Sequence, residues 1–375
     1  MSTLEKQADL AGPGIGDYDE LARVLPDHYR PLLDPRETMR ALYAAKRLIE
    51  DRLCEELNLT MVQVPLIVDR ESGVNDYLDR DGSRTPVTFH IRNDGVHELD
   101  AEVVQAATKW KRLALAQFGF AAGEGLLTDM RAVRKDYFLD HDHSCYVDQW
   151  DWEQAIRAED RTLAYLTKTV RKIWRVLKDA ETMLHERWPV LAAAGTLPDE
   201  LEFVHAEDVL DRWPDLPRKQ RETALLQEHP AVFIYGIGWP LADGLPHELR
   251  AADYDDWSTE VVAADGRTLH GLNGDILVWN PVTKRRHELM SGGIRVTREP
   301  LLRQLELSGQ QELAELAYHR AIIDGAVPCS IGSGIGQSRT MMLLLRKAHL
   351  GEVSVSVWPQ ILKDLGAPRH IHVLE

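Results

Sequence analysis

The chain has 375 residues, 44% hydrophobic and 28% charged, enough to bury a large core as one big domain or two ordinary ones. Its 44 basic residues against 60 acidic ones leave a net charge of -16, which repels a phosphate backbone and excludes a general nucleic-acid role, so any bound nucleotide must meet local arginines and lysines. No apolar run has the length of a membrane span and the N-terminus is polar. Three scattered cysteines, Cys54, Cys145 and Cys329, fit neither a disulfide framework nor a zinc spacing and read as packing residues, so a soluble chain in a reducing cytoplasm is expected.

Residues 1 to about 30 mix Gly, Pro and Asp with a few leucines and no sustained period, which predicts a weakly ordered N-terminal extension over 1–34. Asp34-Pro35-Arg36-Glu37 then offers a cap, a proline at the first helical position and a glutamate three residues after the cap. A helix follows, with an apolar stripe at Leu42, Ala45, Ile49, Leu53 and Leu57, leading to a strand-like stretch over Met61 to Val68. Val87, Phe89 and Ile91 alternate before Asn93-Asp94-Gly95, a hairpin signal. Helices are expected over about 103–118 and, with the longest stripe, 154–188. Later strands are expected near 202–205, 232–237, 276–278 and 293–296, and a glycine-rich turn before a helix near 339–347. No linker or repeat interrupts 35–375, so that stretch reads as a single α+β domain, an antiparallel sheet flanked by helices.

Four segments carry the residues of interest. In Tyr146-Val147-Asp148-Gln149-Trp150-Asp151-Trp152-Glu153, strand alternation sends Gln149 and Asp151 to one face, giving either an amine-binding pair or an exposed acidic strand end over packed indoles. Asp253-Tyr254-Asp255-Asp256-Trp257 is open to the same two readings. Lys109-Trp110-Lys111-Arg112 has the usual form of a solvated basic face, with Lys111 aimed at a substrate carboxylate as the alternative. Ile331-Gly332-Ser333-Gly334-Ile335-Gly336-Gln337-Ser338-Arg339 permits close backbone approach and offers Arg339 to a base or phosphate. It has neither the glycine spacing of a dinucleotide fingerprint nor the Gly-Lys-Ser/Thr of a Walker loop. Asp275 and Glu288, on adjacent predicted strands, are placed to share a divalent ion if those strands pair, or are plain strand-end charges.

These segments, in this order from about residue 36 to Trp358, resemble the ammonia-dependent asparagine synthetases; the motifs YVDQWDWE, ADYDDWS, LNGDILVWNP, GIRV and GIGQSR carry the likeness. The resemblance implies a class II aminoacyl-tRNA-synthetase-like catalytic domain, a homodimer with no anticodon-binding domain, and an enzyme that forms asparagine from aspartate, ammonia and ATP through a β-aspartyl-adenylate, with Mg2+. It places Arg134 and Arg339 on the nucleotide, with Ser144, Leu289 and Ser291 beside it. It gives Asp275 and Glu288 to magnesium and sets Asp76, Lys111, Gln149, Asp151, Arg250 and Asp255 around the amino acid, Asp76 or Asp255 receiving ammonium or its proton. The chain departs from the family at Gln105-Ala106-Ala107-Thr108, Trp239-Pro240 and Met290-Ser291-Gly292. The runner-up is therefore an adenylate-forming amide ligase for another amino acid or amine. A non-catalytic nucleotide or amino-acid sensor on the same scaffold is disfavoured by retention of Arg134, Asp275, Glu288 and Arg339.

Overall fold

Asp34 opens the first long helix as its sequence anticipates: the side chain accepts from the Glu37 backbone N–H, and Pro35 occupies the first turn. A computed structural model describes this helix and residues 15–76, 84–95, 97–263 and 265–375 in all. Residues 1–14 of the expected extension, with Tyr77 and Leu78, lie outside the described residues.

The described part of the extension is not loose. Helix α1 (Tyr18–Val24) is capped by Asp17, and Leu21, Leu25, Tyr29 and Leu33 are buried in the main core. Short apolar residues separated by turns gave no period, yet each finds a slot against the helices behind it. Helix α2 (Pro35–Leu57) and helix α4 (Leu163–Arg187) then bury their stripes, Ala41, Ala45, Ile49 and Leu53 from one and Leu166, Val170, Ile173 and Leu177 from the other, in that same core.

Strand β1 (Leu59–Met61) follows α2; β2 (Ile67–Asp69), β3 (Val87–Arg92) and β4 (Glu98–Val103) form a separate three-stranded sheet containing the expected hairpin. Helix α3 (Thr108–Phe118) begins later than expected because β4 runs through Val103. The main sheet adds β5 (Gly125–Val133), β6 (Tyr146–Ala155), β7 (Glu202–His205) and β8 (Ala231–Tyr235). After a two-stranded ribbon, β9 (Glu260–Val262) with β10 (Thr268–His270), it is completed by β11 (Asn273–Asn280), β12 (Arg285–Ile294) and β13 (Ser330–Gly336).

Strand order is β1-β5-β6-β13-β12-β11-β8-β7. The six central strands are antiparallel, as expected, while the edge strands β1 and β7 pair in parallel. The glycine-rich run is therefore a central strand rather than a turn, and helix α5 (Gln337–Leu344) starts directly from it. Its glycines fit because neighbours press on them: a Cβ at Gly332 would lie 2.0 Å from Glu153 Oε2, and one at Gly334 2.6 Å from Gln149 Oε1. Alternation on β6 sends Trp150 and Trp152 into the helix-covered core and Gln149, Asp151 and Glu153 to the opposite face.

Candidate active site

On that opposite face the sheet floors a cavity of about 810 Å³. Arg134, Ser144, Gln149, Asp151, Arg250, Asp255, Glu288, Leu289, Ser291 and Arg339 all line it. Asp76, Lys111 and Asp275 stand one layer back, each bonded to a lining residue. Asp76 Oδ2 accepts from the Thr108 N–H at 2.6 Å; Lys111 donates to Asp151 and, at 3.0 Å, to the Trp152 carbonyl; Arg250 donates to Asp275.

The basic run on α3 overturns its reading as a solvated face. Lys109, Lys111 and Arg112 are all buried, and each has a partner: Lys109 lies 3.1 Å from Asp253 Oδ2 and Arg112 donates to the Val296 carbonyl at 3.0 Å. The acid cluster after Ala252 divides. Asp256 is structural, accepting from Arg161, Ser258 N and Thr259 N, whereas Asp255 faces the cavity and pairs with Arg295. The reading as an exposed acidic stretch fails for the whole run, since Asp253, Asp255 and Asp256 are all buried.

Arg295, in the motif GIRV, and Glu153, at the end of YVDQWDWE, carry no role in the sequence alone. Arg295 Nε donates to Glu153 Oε1 at 3.0 Å and Nη2 to Oε2 at 2.8 Å, while Nη1 reaches Asp255. Alternation from Asp151 was the available signal for Glu153. Burial works against Glu153 ionising, but Arg295 and Lys111 outweigh it and hold its carboxyl below the usual range. Burial raises Asp151 and Asp255 despite Lys111 and Arg295 beside them. Asp76 is pushed up to about 6 by burial, with Lys109 opposing, and its Oδ1 is buried without a hydrogen-bond partner. Such carboxylates suit the capture of an ammonium group.

The paired arginines also converge. Arg134 donates to the Gln105 carbonyl at 3.0 Å, and burial, with the nearby Arg339 charge, lowers its pKa. Arg339 lies 3.6 Å from Glu288 Oε1 and donates to the Asp142 carbonyl at 3.3 Å. Two cations in one cavity wall favour a polyanion between them.

Strands β11 and β12 do pair, placing Asp275 opposite Ser291 and Glu288 opposite Leu277 across a register shift. Asp275 is buried, its Oδ1 lacks a partner, and burial together with Glu288 and Glu248 raises it to about 7 against the pull of Arg250. An unsatisfied buried carboxylate oxygen among like charges fits a divalent cation of the hard, oxygen-seeking kind.

The three segments where the chain departs from the resembled family do not all touch the cavity. Ala106 lines it. Gln105 is buried behind it, Met290 belongs to the main core, and Trp239 stacks on His270 with ring centroids 3.9 Å apart, away from the lining. The 239–240 segment therefore leaves the cavity surface untouched, whereas 105–108 and 290–292 each reach it.

Residues 36–367 match the family model described as aspartate-ammonia ligase. The chain is 45% identical over 345 residues to the aspartate--ammonia ligases of Bacillus cereus (strain B4264) and Bacillus thuringiensis (strain Al Hakam), alignments covering 92% of this chain and 99% of each relative. Among solved structures it resembles asparaginyl-tRNA synthetase from Pyrococcus horikoshii complexed with asparaginyl-adenylate, with a TM-score of 0.60 and 16% identity over 87% of this chain and 70% of that one. The Entamoeba histolytica asparaginyl-tRNA synthetase in complex with asparaginyl-adenylate gives 0.61 and 12% over 85% and 66%. At these identities the likeness establishes the fold alone, that of the class II synthetases.

Proposed function

The chain belongs to the aspartate-ammonia ligase family, a ligase family that makes asparagine from aspartate and ammonia, and from that premise we propose that it works through a β-aspartyl-adenylate formed in the cavity between Arg339 and Asp255. A β-carboxylate oxygen attacks the α-phosphorus of ATP and pyrophosphate leaves. Ammonia then attacks the activated carbonyl, a proton is lost, and AMP departs with the former carboxylate oxygen. The observation that carries this reading is one cavity lined by Arg134 and Arg339 together with Gln149, Asp151, Arg250 and Asp255.

Each group has a physical task. Arg134 and Arg339 offset phosphate charge as it shifts toward pyrophosphate. Asp151, fixed by Lys111, and Gln149 receive the α-ammonium; Arg250 receives a carboxylate. Asp76 or Asp255 accepts the ammonium or its proton, although holding ammonia at bonding distance contributes more than base strength because ammonia is already nucleophilic. Asp275 and Glu288 would hold Mg2+, which supplies charge neutralisation to the phosphates. Ser144, Leu289 and Ser291 frame the nucleotide.

We assign the working form as a homodimer. Ile67, Phe89, Ile91 and Leu99 are exposed, and strand register puts all four on one face of the small sheet; contiguous exposed apolar faces are where partners dock. The three unpaired cysteines suit the cytoplasm, and no helix among the described residues is long and apolar enough to cross a membrane.

Incubating the purified protein with ATP, Mg2+, ammonium and a panel of acids and amines tests the reading. Aspartate with ammonium should be the fastest pair and give asparagine, AMP and pyrophosphate in equal amounts. Background turnover with that pair beside rapid turnover with another would favour the related amide ligase instead.

A further inference from the structure

The loop before β6 reads Asp140-His141-Asp142-His143, four residues with metal-ligating side chains in succession. Asp140 Oδ1 accepts from the backbone N–H of Asp142 at 2.8 Å and of His143 at 2.9 Å, which folds the loop back on itself. His143 Nδ1 then lies 3.0 Å from both Asp140 oxygens and 2.9 Å from Asp142 Oδ1. Ligand atoms from Asp140, Asp142 and His143 all fall within 4.8 Å of one another.

Hydrogen bonding within the loop accounts for those three residues but not for two further imidazoles. His141 is only 4% exposed, its Nδ1 has no hydrogen-bond partner, and that atom points into the cluster, 3.7 Å from Asp140 Oδ1 and 3.9 Å from Asp142 Oδ1. A buried ring nitrogen that close to two carboxylates, yet bonded to neither, loses its hydration and gains nothing in return. His287 faces the same loop from β12. Its Nε2 lies 2.9 Å from the Arg339 carbonyl, to which it donates, so a neutral ring turns the Nδ1 lone pair toward Asp142 Oδ2 across 4.0 Å. An ion between such atoms would satisfy them together.

We propose that Asp140, His141, Asp142 and His143 form a site for a first-row transition dication of the Zn2+, Mn2+ or Co2+ class, separate from the Asp275–Glu288 pair. Mixed imidazole and carboxylate donors select such ions over Mg2+, which takes oxygen ligands and keeps its waters. The site lies against the cavity wall: Asp142 and His143 both line it. Arg339 donates to the Asp142 carbonyl and has a guanidinium nitrogen 3.3 Å from His143 Nε2. The ion would therefore fix the loop on which Arg339 rests, a positioning role that depends on the nucleotide reading above, whereas the site itself depends only on the donors.

Titration of the chelator-treated full chain with Co2+ in the absence of nucleotide tests it, carried out in a Glu288→Gln background so that binding at the other carboxylate pair does not contribute. One equivalent should bind with a visible-region absorption band of nitrogen- and oxygen-ligated Co2+, and His141→Asn or Asp142→Asn should weaken binding at least tenfold with the circular dichroism unchanged. Should those variants misfold, histidine side-chain NMR of the Glu288→Gln protein decides: Co2+ must shift or broaden the His141 and His143 signals first. Absence of the band, unchanged affinity in His141→Asn, or histidine signals indifferent to Co2+ would each overturn the site. Pyrophosphate exchange that survives Arg339→Ala would count against the nucleotide reading and leave the cation result standing.

Discussion

Arg339 and Arg295 are both arginines at the cavity, yet their surroundings give them different work. Arg339 is partly exposed and held by the Asp142 carbonyl and, at 3.6 Å, by Glu288, long tethers that a phosphate can replace. Arg339→Ala should therefore abolish aspartate-dependent pyrophosphate exchange, a loss of at least a hundredfold on the scale of one removed transition-state donor, with little effect on melting; near-normal exchange would contradict its assignment. Arg295 is buried and serves Glu153 and Asp255 together. Removing it in Arg295→Met strands two buried carboxylates and should cost roughly 3–5 kcal/mol in urea unfolding, since loss of one partner leaves charge unpaired in a low dielectric. A change under about 1 kcal/mol would show that water reaches the cluster. Strand alternation singled out Asp151 and the family resemblance Asp255, but neither could reveal their counter-charges. Arg295 follows the end of β12, distant in the chain, and Lys111 lies on a helix whose basic run has the composition of a solvated face.

At the level of elements, periodic apolar patterns were legible and context-dependent ones were not. The capped start of α2, the hairpin turn signalled at 93–95, the stripe of α4 and strand β7 all stand where local rules put them, because cap, turn and period agree there. Helix α4 nevertheless starts nine residues later than its pattern was read, because β6 continues to Ala155 and Thr162 supplies the cap. The glycine-rich run misled more deeply. Glycine weakens strands in isolation, and only the press of Glu153, Gln149 and Arg295 against the backbone explains why β13 needs it. Gly332→Ala should accordingly destabilise the fold by about 1–3 kcal/mol or more, as overpacking does. Gly336→Ala, whose new carbon would meet nothing nearer than 3.5 Å, should be tolerated in stability. Equal denaturation midpoints for the two variants would contradict the close-packing account of this strand.

Across the whole molecule, the segment before α2 is tied to the far end of the chain, a contact no local pattern announces. Tyr29 donates to Glu352 Oε1 at 2.9 Å, and Lys347 donates to the Leu33 carbonyl at 3.0 Å. Burial raises Glu352 to about 7 against the opposing pull of Lys347 and the Tyr29 hydroxyl. Between the ordinary 4.5 and that value the folded state holds more protons than the unfolded one, so this group's contribution to stability is full at low pH and is lost as pH rises through about 7. Melting temperature followed from pH 5 to 8 should fall less steeply in Glu352→Gln than in the unaltered protein; parallel curves would remove Glu352 from the account. The same long-range closure builds the active cavity, whose walls come from the start of α3, β6, β12, β13 and the loop carrying Arg250 to Asp255. A label experiment tests the central claim most directly. With aspartate carrying 18O in its β-carboxylate, together with ATP, Mg2+ and ammonium, each asparagine formed should be matched by one AMP bearing a single 18O on its phosphoryl group. Label appearing in inorganic phosphate, or AMP released without label, would contradict an acyl-adenylate and with it the roles given to both nucleotide arginines.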